Sequence, residues 1–284
     1  MLSKRLYLVL LIFSNLTLLS CNRDIYHQNN KAHQKQVKEA TSVLLEVPKT
    51  KIKSPGDTTV LNDQWVGTTN FSIRRPNFVV IHHTAQDSLA QTIKTFTLTR
   101  TQVSSHYVIG RDGTVVQMLN DYLRSWHAGR GRWGNDTDLN SSSIGIELDN
   151  NGSEFFPEEQ IESLIKVLKS LKEKYNIPTA NFIGHADLAP GRKVDPSVYF
   201  PWKRLAEAGF GYWYDEKLLQ PEYEGKLPEN FNALDALRII GYDISNPQAA
   251  IQSFKIHFTK ENINSPELSH LDKLIIYDLY LKYR

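Results

Sequence analysis

A chain of 284 residues with 40% hydrophobic and 11% aromatic residues can fold a domain of roughly 150 residues with something smaller beside it. A formal net charge of +2 is nearly neutral at this length, and no dense Lys/Arg block occurs, which argues against nucleic acid as a partner. The single cysteine, Cys21, excludes an intramolecular disulfide and a Cys-based zinc cluster, so a transition metal has to be held by carboxylates and some of the nine histidines.

Lys4 and Arg5 precede an apolar run from Leu6 to Leu19, broken only by Ser14, Asn15 and Thr17. A membrane span needs about 20 apolar residues, so residues 1–20 read instead as a signal peptide. The run ends in Leu18-Leu19-Ser20-Cys21, which resembles a bacterial lipobox with Cys21 as the acylated residue. A plain secretory signal with a stray cysteine is the alternative. Residues 21–57 are polar and rich in Lys, Gln and Asn, which predicts a tether with one weak helix near Gln34 to Leu45.

Phe78-Val79-Val80-Ile81 is a β-branched and aromatic run, hence a buried strand, and it delivers His82 and His83 to its C-terminal end. Successive strand residues face opposite sides, so only one of the two histidines can enter a given site. Ser88 to Arg100 predicts a helix, Ser105 to Ile109 a strand, and Arg111-Asp112-Gly113 the turn of a hairpin returning through Thr114 to Met118. Ile144 to Leu148 is a further strand, with Glu147 inside an otherwise apolar stretch. In Pro157 to Tyr175 the residues Ile161, Leu164, Ile165, Leu168, Leu171 and Tyr175 fall on one helical face. Phe182-Ile183-Gly184 is a short strand ending in His185. Beyond a charged linker at Gln220 to Leu227, three helices are expected. The first spans Phe231 to Ile240, the second starts after Asn246, and the third takes Ser265 as its cap and Pro266 at its first position.

Three residues suggest a metal. His82 and His185 each sit at a strand end, and Asp195 follows a Gly/Pro-containing loop that can fold back on His185. Two neutral imidazoles and a carboxylate make a sound catalytic zinc set that leaves a fourth position open. On spacing alone, each histidine is more often a surface or satisfied core residue than a ligand. Glu147 is either buried and paired, or a proton-transfer group.

Five fragments occur in order: Val80-Ile81-His82-His83-Thr84-Ala85, Val103-Ser104-Ser105-His106-Tyr107, Trp126-His127-Ala128-Gly129, Ser143 to Leu148, and Gly184-His185-Ala186-Asp187 through Lys193-Val194-Asp195-Pro196. Together they resemble the type 2 N-acetylmuramoyl-L-alanine amidases, relatives of the peptidoglycan recognition proteins, and within them the lipoprotein AmiD type. The resemblance implies an α/β fold, with a mixed central sheet flanked by helices over residues 58–214 and a small three-helix domain over 215–284. It implies one Zn2+ per chain on His82, His185 and Asp195, a catalytic Glu147 supported by Lys193, and His106, Trp126 and His127 on the substrate side or supporting the cleft. His83 is not a ligand position in the family. The implied substrate is peptidoglycan or its muropeptides, and the implied place is the cell envelope, lipid-anchored at the periplasmic face of a Gram-negative outer membrane. A lipoprotein that binds muropeptide without cutting it is the competing reading. Gly241-Tyr242 and Phe254-x-x-His257-Phe258 resemble the small helical peptidoglycan-binding domain found beside this amidase group.

Overall fold

The computed structural model describes residues 25–44, 68–70, 72–73, 75–220, 222–223 and 225–284. The expected signal peptide, Cys21 and much of the tether lie outside the described residues. The chain divides into two compact units, 1–71 and 72–284. In the first, helix α1 spans His27–Val43 and buries no side chain, starting about two turns before the helix expected from the sequence. No helix among the described residues is long and apolar enough to cross a membrane.

The second unit is built on a five-stranded sheet of order β3-β2-β4-β1-β5. Its strands are β1 (Phe78–His83), β2 (Tyr107–Ile109), β3 (Val115–Gln117), β4 (Ser143–Leu148) and β5 (Phe182–Gly184). Strand β1 runs parallel to β4 and β5, β2 runs parallel to β4, and only the β2–β3 hairpin is antiparallel. The sheet is therefore mixed, as expected. Helix α2 (Leu89–Thr97) crosses between β1 and β2, and the one-turn helix α3 (Leu139–Ser142) leads into β4.

Side-chain alternation assigns the two faces. Val79 and Ile81 of β1, Ile144, Ile146 and Leu148 of β4, and Phe182 of β5 pack against helix α4 (Glu158–Tyr175) through Ile161, Leu164, Leu168 and Leu171. The other face carries Val80 and His82, Ser143, Gly145 and Glu147, and Ile183. The period-two pattern thus hides a polar row within strands that look apolar throughout. Two short helices, α5 (His185–Leu188) and α6 (Trp202–Glu207), follow β5.

The C-terminal helices α7 (Ala233–Ile240), α8 (Pro247–Phe254) and α9 (His270–Tyr283) cover that second face. Val80, Ile183 and Leu188 share one buried cluster with Leu237, Ile240, Phe254, Phe258, Ile275 and Leu279. Asn232 and Asn246 cap α7 and α8 with their side chains. Helix α9 departs from expectation. Its cap is Ser269, in a reciprocal pair with Asp272, and Ser265 lies in the loop before it. The reason is Lys255, whose buried ammonium takes the carbonyls of Ser265 at 3.1 Å and Glu267 at 2.6 Å. Those carbonyls are then drawn away from a helical ladder.

Candidate active site

Strands β1 and β4 set the two central groups side by side. His82 and Glu147 are register partners on neighbouring parallel strands and point to the same face. One position earlier in the alternation, Gly145 leaves room for the His127 ring: a Cβ there would lie 2.4 Å from His127 Cγ. His127 is held from behind as well, its backbone N–H and that of Ala128 both donating to Asn140 Oδ1 at 3.0 and 2.8 Å.

His82 Nδ1, His185 Nδ1 and Asp195 Oδ2 converge, with separations of 2.9, 3.0 and 3.1 Å. All three residues are buried. Their protonation follows from what lies behind them. His185 Nε2 sits 2.9 Å from the carbonyl of Ala128, which only accepts, and Arg192 Nη2, 3.3 Å from the same nitrogen, donates to the Ala128 and Arg130 carbonyls, so in the neutral ring Nε2 bears the proton and Nδ1 a lone pair. Ser143 Oγ donates to the carbonyl of Leu139. It therefore accepts from His127 Nε2–H at 3.1 Å, which leaves His127 Nδ1 to accept from His82 Nε2–H at 3.0 Å. His82 Nδ1 is then also a bare lone pair. Burial, with the His185 imidazole next, holds the His82 pKa down at about 4, and burial keeps His127 far below its ordinary value.

Three unprotonated donor atoms thus face one another, one of them on a carboxylate. Such a set repels itself unless a cation sits among them. Nitrogen and oxygen ligands of a tetrahedral zinc at 2.0–2.1 Å lie about 3.3 Å apart, close to the spacing here. The donor chemistry fits zinc, as do the groups held by the far nitrogens, the Ala128 carbonyl on His185 and the His127 ring on His82.

Glu147 is buried, and its Oε2 has no hydrogen-bond partner. Burial, then the charge of Asp195, pushes its pKa up to about 8, with Lys193 opposing. A buried unpaired carboxyl beside a metal-type cluster is a proton-transfer candidate. A cleft of about 500 Å³ opens onto His185, His127 and Lys193, walled by Trp126, Arg124 and Arg192. Trp126 is 50% exposed, placed as a wall a substrate can touch.

Other residues fall elsewhere. His83 accepts from Ser197 N–H at 3.1 Å on Nδ1, outside the cluster. His106, expected among the substrate-side residues, is fully buried behind His127. Its Nε2–H donates to the Leu123 carbonyl at 2.9 Å, while Nδ1 accepts from Ser125 Oγ and Gly145 N. With both ring nitrogens engaged, the supporting role is the one its geometry favours. Ser143, Asn140 and Arg192 were not singled out from the sequence as site residues. Alternation along β4 could have put Ser143 beside Glu147; Asn140 and Arg192 carry no periodic signal.

Residues 72–198 match the Amidase_2 family, N-acetylmuramoyl-L-alanine amidase. The chain is 36% identical over 213 residues to N-acetylmuramoyl-L-alanine amidase AmiD of Escherichia coli K12, covering 65% of this chain and 75% of that one. Among solved structures it resembles E. coli AmiD in complex with anhydro-N-acetylmuramic acid-L-Ala-D-gamma-Glu-L-Lys, with a TM-score of 0.66 and 31% identity over 76% of this chain and 93% of that one. AmpDh3 of Pseudomonas aeruginosa is similar at a TM-score of 0.65 and 30% identity, over 79% and 98% of the two chains.

Proposed function

This chain belongs to the N-acetylmuramoyl-L-alanine amidase family, and from that premise we propose that His82, His185 and Asp195 hold one zinc ion for peptidoglycan hydrolysis. The bond cut joins N-acetylmuramic acid, or its anhydro form, to the L-alanine of the stem peptide. The observation that carries this reading is the convergence of three unprotonated donor atoms beside the unpartnered carboxyl of Glu147.

Amide resonance makes the scissile carbonyl a poor electrophile. Zinc bound here supplies Lewis-acid polarisation of that carbonyl and makes water a competent nucleophile near neutral pH. Glu147, whose ionised form a dication on the three ligands would favour, takes as a carboxylate the proton of the attacking water and returns it to the departing nitrogen of L-alanine. The Lys193 ammonium, which lines the cleft, holds the developing oxyanion. Trp126 and His127 line the substrate's path, and His127 also fixes the tautomer of His82. A module that only binds muropeptide has no use for the buried Glu147 next to a complete ligand set, which favours the enzyme.

The decisive test is mass analysis of muropeptides incubated with zinc-loaded protein lacking residues 1–20. A lactyl-sugar product and a peptide with a free L-alanine amine are expected; intact muropeptide after long incubation would leave binding as the only activity. We read residues 58–214 as the catalytic segment and 215–284 as helices built onto it. Residues 21–57 form the tether, with Cys21 as its lipid attachment, placing the enzyme in the cell envelope at the periplasmic face of the outer membrane. Multiple acyl chains anchor stably where one does not. Cys21→Ala should therefore move the protein out of the membrane fraction, and a processed variant that stays there argues for another anchor.

A further inference from the structure

The proposed chemistry makes no use of Asp187, two residues beyond His185 on the same one-turn helix α5. Its side chain is 2% exposed and accepts from three donors. Gly184 N–H reaches Oδ2 at 2.7 Å, His257 Nδ1–H reaches Oδ2 at 2.8 Å, and the Tyr242 hydroxyl reaches Oδ1 at 2.8 Å. The first comes from the end of β5. The other two come from the C-terminal helical segment.

Both distant donors are themselves fixed. His257 sits in a π-helical turn, Lys255–Thr259, and its ring stacks on Trp202 at 3.9 Å with 14° between the planes. Tyr242 meets Trp133 edge-on at 5.0 Å. It follows Gly241, where φ is 139° and a Cβ would strike the Trp133 ring at 2.4 Å. On its near side, α5 carries His185 directly and holds Asp195 by a backbone bond, Ala186 N–H to the Asp195 carbonyl at 2.7 Å. A helix of one turn has no stability of its own, so its orientation comes from what grips it.

We propose that Tyr242 and His257 are positioning residues for the metal centre: through Asp187 they clamp α5, and with it the aim of His185 and the loop bearing Asp195. This rests on the reading of His82, His185 and Asp195 as zinc ligands. The C-terminal helices then complete the metal site as well as covering the sheet. Groups that hold a metal's ligands from behind typically change metal affinity 10–100-fold, and an indirect clamp belongs at the lower end.

The test uses the zinc-loaded full chain and follows zinc loss to excess chelator, with the melting midpoint and kcat recorded alongside. Tyr242→Phe keeps the ring against Trp133 and removes one donor; His257→Leu removes the other. Each should speed zinc loss roughly tenfold. His257→Asn, whose amide nitrogen takes the place of Nδ1, should restore the slow rate. Lowered melting midpoints with zinc loss unchanged would make both residues packing elements only and overturn the clamp, as would acceleration in His257→Leu that His257→Asn fails to reverse. Should His257→Leu not fold, Tyr242→Phe decides alone, unchanged zinc loss counting against the clamp. A wild-type chain that takes up no zinc overturns the ligand assignment itself, a result distinct from any variant's behaviour.

Discussion

At the level of single residues, the division of labour between metal ligands and proton carrier is open to direct test. Glu147→Gln keeps shape and reach but cannot accept a proton. Zinc content should stay at one per chain while the rate falls by roughly 10²–10⁴. Asp195→Ala removes the anionic donor that meets both imidazoles, so zinc occupancy itself should fall, recovering partly in excess zinc. Lys193→Met should resemble Glu147→Gln in metal content, because lysine acts on the oxyanion. Metal analysis and steady-state rates on the three variants check this; a Glu147→Gln protein without zinc would make Glu147 a ligand. The residues at strand ends were the legible part of this site. Alternation said that only one of His82 and His83 enters it, and β1 admits His82. The direction of His106 was not legible, because its ring is satisfied by Leu123 and Ser125 from a loop whose path no local pattern encodes.

Elements are docked by polar contacts as well as by apolar faces, and α4 shows how. Asp121, 6% exposed, accepts from Tyr175 at 2.6 Å and Lys174 at 3.0 Å in the last turn of α4, and from Tyr107 of β2 at 2.7 Å. Burial alone would raise its pKa, yet the bonds from Tyr175, Tyr107 and Lys174 outweigh it and hold the carboxyl below its ordinary value. A depressed carboxylate stabilises the fold above the unfolded pKa of about 3.9, and that contribution is lost as pH falls through the lower folded value. Gln117 Nε2–H is a fourth donor at 3.2 Å, so Asp121→Asn leaves one acceptor oxygen for four donors and should cost about 1–3 kcal/mol at neutral pH. Urea unfolding of both proteins from pH 7 downward should show the gap closing below about pH 4; a gap independent of pH would show that the charge contributes nothing. The apolar face of α4 was legible from its period, because burial on one side repeats every helical turn. The start of α9 was not. Ser265-Pro266 has the chemistry of a helix start, as does Ser269 with Asp272, and the choice fell to Lys255 ten residues back in the chain.

For the whole molecule, the sequence shows a charged linker at Gln220 to Leu227 and predicts a domain boundary at residue 214, but linker composition reports only local chain chemistry. What lies against what is a long-range property. The described residues from 72 onward form one compact unit, and the motifs that resemble a peptidoglycan-binding module, Tyr242, Phe254, His257 and Phe258, are buried within it. Truncation after Tyr214 would uncover Val80, Trp133, Leu139, Ile183 and Leu188 together. Burial of a large apolar side chain contributes about 1.5–3 kcal/mol, while a whole domain is stable by only about 5–15 kcal/mol. Losing the cover over several such residues removes a margin of that order. It also strips Asp187 of two of its three donors, beside the metal ligand. The truncated chain should therefore be insoluble, or soluble without a cooperative urea transition and without retained zinc. Expression of residues 68–214 beside 68–284, followed by near-ultraviolet circular dichroism and metal analysis, checks the outcome. A truncated protein that unfolds cooperatively and keeps its zinc would show that the sheet's second face stands without the helices, and would confine their role to what they bind.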